Sequence, residues 1–254
     1  MKTDREDEKI LAVVQNIKSE HPFWGYRRVW AYMKYRQGQR INKKRIYRVM
    51  KENNLLVTPH LRLKAKRDNP SNKSKPKPNR PNQFWGTDMT KVMIPGFGWL
   101  SMVIVLDWYT KKIVGYSLST HSRTEDWLDA LHAAGNNQFP EGVLAKQQEL
   151  YLVSDNGSQP TSHKYMQACS VLEIKQIFAS YNNPKGNADT ERVIRTIKED
   201  FAWIRDFFSP FEFTKSFQKW VDDYNSDYPH SSLNYMTPSL FEKKLLLLTS
   251  NFYP

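Results

Sequence analysis

The net positive charge of this chain comes entirely from its N-terminal third. Residues 1–82 contain 22 Lys and Arg against 7 Asp and Glu, a net charge of +15, whereas the rest of the chain contains 16 against 19. At 254 residues the chain is long enough for one domain of ordinary size plus a small accessory domain or long tail, so two folding units are expected. A polyanion is the natural partner of the basic segment, because binding releases condensed counterions. Nucleic acid fits this role better than an anionic membrane, since no amphipathic lipid-binding stretch accompanies the charge.

The basic segment has the hydrophobic periodicity of three helices. Two are expected over Glu8–Ser19 and Arg27–Arg36, and the third, Lys43–Asn53, follows Asn42 as its N-cap. A basic last helix behind a short connection is typical of a helix-turn-helix that lies against DNA, although a solvated basic helix would share the composition. The candidate DNA-binding residues are four basic side chains of that helix: Lys43, Lys44, Arg45 and Arg48.

Composition divides the chain into four segments. Residues 1–58 are expected to form the helical DNA-binding domain, and residues 59–82, rich in Lys, Arg, Pro and Asn, a basic linker. Residues 83–245 are expected to form the core with C-terminal helices, and residues 246–254 a tail. The charge of the linker fits both a segment that follows a DNA backbone and a solvated spacer.

Strands dominate the sequence after the linker. FWGTDMTKVMI and WLSMVIVLDWY flank the turn signal PGFG and predict a hairpin, and KIVGYSLST predicts a third strand. Helices then alternate with the short strands LYLV and IKQIF, and a long helix is expected over Asp189–Phe207. This order predicts an α/β fold with a mixed sheet. Trp85, Trp99 and Trp108 occupy strand positions and are expected in the core.

Three carboxylates stand out against this background. Asp88 lies inside an otherwise apolar strand, where a charge is costly unless it is paired or bound to a metal. Asp155 directly follows LYLVS, at a strand end where the active sites of α/β sheets collect, and Glu191 lies at the start of the long helix. Oxygen ligands of this kind suit Mg²⁺ or Mn²⁺.

Thirty-five residues separate Asp155 from Glu191. With this spacing, the chain resembles the catalytic subunit of bacterial insertion-sequence transposases, the OrfB type, within the retroviral-integrase superfamily and its D,D(35)E motif. The resemblance rests on five ordered segments: PNQFWGTDMT, GWLSMVIVLDWYTKKIVGYSL, SDNGSQPTS, GNADTERVIRTIKED and YNSDYPHSSLNYMTP. The N-terminal HPFWGYRRVW and INKKRIYRVMKENNLL are similar to the helix-turn-helix that precedes the core in that family.

The resemblance implies a ribonuclease-H-like catalytic core in which Asp88, Asp155 and Glu191 hold two Mg²⁺ ions, which Mn²⁺ can replace. Such an enzyme cleaves DNA at the ends of a mobile element and joins the freed 3′-hydroxyl to a target phosphodiester. The implied partners are double-stranded DNA, a homo-oligomer on paired ends and an upstream OrfA-type segment. The long helix carries two further candidate DNA contacts, Lys198 and Arg195. For Lys198 the alternative is an ordinary solvated lysine.

Other features limit the alternatives. Asp107 matches a family aspartate that is not a metal ligand, and the loop Tyr181–Asn187 resembles a mobile loop beside the catalytic glutamate. Cys169 is the single cysteine, so neither a disulfide nor a zinc cluster is expected, and the absence of signal and membrane segments predicts a cytoplasmic protein. A non-catalytic or domesticated DNA-binding protein derived from a transposase is the main alternative. A general ribonuclease of the same fold would not need the basic helical start.

Overall fold

The computed structural model describes residues 2–57, 76–146, 148–179 and 186–250. Contacts divide the chain into two compact units, one of residues 1–67 with 223–254 and the other of residues 68–222. Most of the expected linker, like most of the expected loop beside Glu191, lies outside the described residues.

The first unit begins with three helices, α1 (Lys2–Glu20), α2 (Tyr26–Tyr35) and α3 (Lys43–Glu52). All three confirm the helices expected from hydrophobic periodicity. At the start of α3 the Asn42 side chain accepts a 2.8 Å hydrogen bond from the backbone N–H of Lys44, as its N-cap assignment predicts. The buried side chains shared by the three helices are Ile10, Val14, Ile17, Val29, Met33, Ile46, Val49 and Met50.

The second unit is built on a five-stranded mixed sheet. Its strands are β1 (Phe84–Ile94), β2 (Gly98–Asp107), β3 (Ile113–Ser119), β4 (Leu150–Ser154) and β5 (Ile174–Phe178). Their order in the sheet is β3-β2-β1-β4-β5. The first three strands run antiparallel as consecutive hairpins, whereas β4 pairs parallel with β1, and β5 parallel with β4. The predicted mixed α/β sheet is thereby confirmed.

Helices cover both faces of this sheet. On one face α4 (Thr124–Gln138) and α5 (His163–Val171) pack over Trp85 and its neighbours in the main hydrophobic core. Cys169 is buried there, and burial raises the pKa of its thiol to about 12. The other face receives α6 (Ala188–Ile197), since Gly86, adjacent to Trp85 and therefore on the opposite side of the strand, meets the first turn of this helix.

The helix that carries Glu191 is shorter than predicted. α6 ends at Ile197 and continues as a single π-helical turn over Lys198–Ala202, rather than running to Phe207. The apolar spacing of the sequence continues past Ile197 with Phe201 and Phe207. Both side chains are buried, but they pack with Phe213 of the next helix, α7 (Pro210–Asp227), and do not extend α6.

Contacts group the end of the chain with its N-terminal helices. Of this part the structure describes residues 223–250, which include α8 (Pro238–Ser250). Aromatic contacts account for this: the Trp24 ring lies 5.2 Å from Tyr228, and the Trp30 ring 5.6 Å from Tyr235. Such pairs, far apart in sequence, leave no periodic signal. Among the described residues no helix is both long and apolar enough to span a membrane.

One core prediction is wrong. Trp85 and Trp108 are buried, but Trp99 is 56% exposed. It pairs across the β1–β2 hairpin with Met93, also exposed, close to the tip of the two long strands. Ile94, next to Met93 but on the opposite face of β1, is fully buried, so strand position alone does not establish which face of a strand is covered.

Candidate active site

The register of the sheet brings Asp88 and Asp155 to neighbouring positions. In the parallel pairing of β4 with β1, Gly86 lies opposite Val153. Two residues further along each strand come Asp88 and Asp155, and a step of two residues returns a side chain to the same face. Asp155 follows directly on β4, where its Oδ1 accepts a 3.1 Å hydrogen bond from the backbone N–H of Gly157. This bond fixes the carboxylate at the mouth of the loop after the strand.

Asp88 lies in a strongly perturbed environment. Burial, followed by the negative charges of Asp155 and Glu191, raises the pKa of its carboxyl from 3.8 to about 6. Two contacts oppose the increase: a 2.7 Å hydrogen bond from the backbone N–H of Met89, and the positive charge of Lys198. Three carboxylates and one ammonium group, from two strands and one helix, therefore share a single electrostatic neighbourhood.

Glu191 and Lys198 reach this neighbourhood from α6 and the turn that follows it. Glu191 is exposed in the first turn of α6, and Lys198 is half-buried at the start of the π-helical turn, seven residues later. Arg195, the other candidate DNA contact on this helix, forms a 2.6 Å ion pair with Glu199. Of the two basic residues, Lys198 is the one whose charge acts on Asp88.

The start of α6 is tied to the sheet by three polar contacts that sequence reasoning missed. Trp108 Nε1 donates a 3.1 Å hydrogen bond to Thr190 Oγ1. Asn187 Nδ2 donates a 3.0 Å bond to the backbone oxygen of Thr87 on β1. Lys111 Nζ lies 2.9 Å from Asp189 Oδ2. Gly86 was the one available sequence signal, since a glycine inside a strand often marks a close approach.

Asp107 lies in a different environment, where hydrogen bonds satisfy its buried carboxylate without a metal ion. It is fully buried at the end of β2, and burial raises the pKa of its carboxyl. Its oxygens accept bonds from the Thr110 hydroxyl at 2.8 Å and from the backbone N–H of Tyr109 at 3.1 Å and of Asn82 at 3.3 Å. These bonds stabilise the turn between β2 and β3.

The carboxylates near Asp88 have the chemistry of a divalent-cation site without its closed geometry. Across the described parts of the chain, no three His, Cys, Asp or Glu side chains are grouped closely enough to hold an ion. The oxygen donors nevertheless match the preference of Mg²⁺ and Mn²⁺. A cation would also offset the mutual repulsion that raises the pKa of Asp88.

The basic side chains of α3 differ in their contacts with the rest of the protein. Asp7 of α1 forms 2.6 Å ion pairs with both Arg45 and Arg48, and hydrogen bonds from the two arginines, that of Arg45 foremost, lower the pKa of this aspartate. Lys43 is exposed and its ammonium lies 5.3 Å from the Trp30 ring, while Lys44 is exposed. The two lysines therefore present their charge to solvent, whereas the two arginines join α3 to α1.

Comparison with known proteins places this architecture in a family. Models of the integrase core domain match residues 78–184 and 172–238, and a model of an HTH-like domain matches residues 4–62. The two core matches together span more than half of the chain. The chain therefore contains an integrase core domain with a ribonuclease-H-like α/β fold, preceded by an HTH-like domain.

The curated relatives include transposase InsD of insertion element IS2A/D/F/H/I/K from Escherichia coli, 25% identical over 239 residues, or 92% of this chain and 78% of InsD. InsD of element IS2-9 is equally similar and is covered over 76% of its length. These matches confirm the predicted resemblance to insertion-sequence transposases.

Solved structures of low sequence identity share the fold. A chain of the simian T-cell lymphotropic virus intasome, solved with the PP2A regulatory subunit B56 gamma, superposes with a TM-score of 0.55 and 14% identity, covering 84% of this chain and 73% of that one. The trimeric form of the HTLV-2 integrase catalytic core domain, solved with magnesium, gives a TM-score of 0.50 and 13% identity, covering 65% and 99%.

Proposed function

We propose that this chain is a transposase that cleaves DNA at the ends of a mobile element and joins the freed 3′-hydroxyl to a target phosphodiester. The observation that carries the proposal is the shared electrostatic neighbourhood of Asp88, Asp155, Glu191 and Lys198 on an integrase-type sheet. The similarity to the InsD transposases supports the same conclusion.

Asp88, Asp155 and Glu191 would hold two Mg²⁺ ions, which Mn²⁺ can replace. When bound, the ions supply charge stabilisation for the attacking and leaving oxygens of an in-line displacement. In the first step water attacks the phosphodiester at the element end and releases a 3′-hydroxyl. In the second step that hydroxyl attacks a target phosphodiester, and the displaced oxygen leaves as the new 3′-hydroxyl of the target strand.

The remaining residues of the site bind and orient DNA. The Lys198 ammonium, whose charge acts on Asp88, would contact the phosphate of the element end. Lys43 and Lys44, with Arg45, Arg48 and Arg195 once their ion pairs open, would contribute further phosphate contacts. The working form is a homo-oligomer on paired ends in the cytoplasm, assisted by an OrfA-type segment encoded upstream.

The test is a cleavage and strand-transfer assay on DNA that carries the inverted repeats flanking the gene, using the protein with its upstream segment. Wild type, Asp155→Asn and Glu191→Gln are compared, with Asp129→Asn as the matched control, because Asp129 is an exposed acid on α4. Joining that needs Mg²⁺ or Mn²⁺, disappears in the first two variants and persists in the control is the expected result. Tight end binding without cleavage in the wild type would instead identify a non-catalytic DNA-binding protein.

A further inference from the structure

We infer that Trp108, Thr190 and Asn187 are positioning residues for Glu191: they fix the rotation and height of α6 on β1 so that the glutamate faces Asp88. The inference rests on the proposed function, because it concerns the carboxylates of that site. None of the three side chains carries a charge, and their role follows from the polar contacts at the start of the helix.

The first argument is that Asn187 does not cap its own helix. It occupies the N-cap position of α6, where an Asn side chain ordinarily accepts a bond from the first turn, yet it makes no such bond. Its amide nitrogen instead donates to the backbone oxygen of Thr87, the residue next to Asp88. Its amide oxygen is buried and, among the described atoms, has no hydrogen-bond partner. Local helix stability is thus given up for a link to the strand that carries Asp88.

The second argument is the close approach at Gly86. A Cβ atom built there would lie 2.1 Å from Thr190 Oγ1 and 2.2 Å from Trp108 Nε1, far inside any real contact distance. The absence of a side chain at this position lets the two groups form their buried 3.1 Å hydrogen bond across the strand. Gly86 is two residues from Asp88, on the same face of β1.

The third argument concerns direction. Val193, Ile194 and Ile197 already bury α6 against the sheet, but hydrophobic burial is roughly non-directional. A slip of one residue along a helix changes height by about 1.5 Å and rotation by about 100°. Such a slip would carry Glu191 away from Asp88, whereas directional bonds at positions 187 and 190 resist it. Misplacement of a reacting or ligating group by about 1 Å is enough to cost on the order of 100-fold in rate.

The experiment compares Thr190→Val, Thr190→Ser and Trp108→Phe with the wild type. Thr196→Val is the matched control, because Thr196 is a buried threonine on the same helix whose hydroxyl bonds only to the Arg192 carbonyl, 3.1 Å away, among the bonds described. Two quantities are measured: the Mn²⁺ concentration that half-saturates strand transfer, and the rise in melting temperature on adding Mn²⁺ without DNA.

We expect Thr190→Val and Trp108→Phe to raise the half-saturating Mn²⁺ concentration by about 10- to 100-fold and to reduce the Mn²⁺-induced rise in melting temperature. Thr190→Ser, which keeps the acceptor hydroxyl, should retain the wild-type values of both quantities, and Thr196→Val should change neither.

Wild-type metal dependence in Thr190→Val, with a loss of stability like that of Thr196→Val, would overturn the inference. A wild type that gains stability from Mn²⁺ but joins no DNA would refute the transposase proposal alone, while the melting data would still decide the positioning role. A wild type with no gain in stability would overturn the inference.

Discussion

Removal of the Asp88 charge should stabilise the metal-free protein. In the unfolded chain this carboxyl ionises near 3.8, but in the folded protein its pKa is about 6. Below the lower value both states are protonated and ionisation does not affect stability. As the pH rises through about 6, the carboxyl ionises in the folded state as well, and the full free-energy cost of its buried charge then lowers stability. An increase of about two pKa units corresponds to about 3 kcal/mol, at about 1.4 kcal/mol per unit.

Asp88→Asn removes the charge and keeps an oxygen that can accept the bond from the Met89 backbone. In EDTA at pH 8 we therefore expect the variant to be more stable than wild type by about 2 to 3 kcal/mol, and the difference to shrink toward zero near pH 4. Urea denaturation followed by tryptophan fluorescence measures this, because six of the eight tryptophans lie within residues 68–222.

Two comparisons make this experiment decisive. Asp129→Asn, which removes an exposed acid, should leave stability within about 0.5 kcal/mol of wild type. Added Mn²⁺ should stabilise the wild type and leave Asp88→Asn nearly unchanged, reversing their order. An Asp88→Asn variant that is less stable than wild type at pH 8 in EDTA, or a difference that is the same at pH 4 and pH 8, would refute the electrostatic reasoning.

Three further changes test other parts of the structure. Gly86→Ala places a methyl group against Thr190, so we expect a loss of about 1 to 3 kcal/mol in urea denaturation together with reduced strand transfer; unchanged stability would contradict the close approach. Asp7→Asn should remove the ion pairs of this residue with Arg45 and Arg48, while Arg45 keeps its 2.9 Å ion pair with Glu6, and should make the binding of non-specific DNA tighter and more salt-dependent in fluorescence anisotropy; an unchanged salt slope would argue against this. Asp107→Ala should lower stability by about 1 to 3 kcal/mol while the Mn²⁺-induced rise in melting temperature persists; loss of that rise would implicate Asp107 in the metal site.

The sequence was most informative where side-chain chemistry and local periodicity agree. The strands FWGTDMTKVMI and IKQIF begin and end where predicted, because branched and apolar residues bounded by turn signals describe a buried strand well. The electrostatic grouping of Asp88, Asp155 and Glu191 in the structure accords with the expectation from strand ends and motif spacing. Their role as metal ligands remains a prediction.

Features that depend on contacts distant in sequence could not be predicted. The bond between Trp108 and Thr190 joins residues 82 positions apart, and the ion pair of Asp7 with Arg45 joins residues 38 apart. The end of α6 was misplaced because Phe201 continues the apolar spacing of the helix while packing into a separate aromatic cluster. A single chain carries no periodic signal for any of these contacts.

The most direct test of the central claim is a change of metal preference at Asp155. This side chain is exposed, so its replacement should leave folding intact. A thiolate in place of the carboxylate favours softer ions over Mg²⁺. If Asp155 is a ligand, Asp155→Cys should lose strand transfer in Mg²⁺ and regain a measurable part of it in Mn²⁺ or Cd²⁺, whereas Asp129→Cys should behave like wild type. Full Mg²⁺-dependent activity in Asp155→Cys would contradict the assignment of this carboxylate to the metal site.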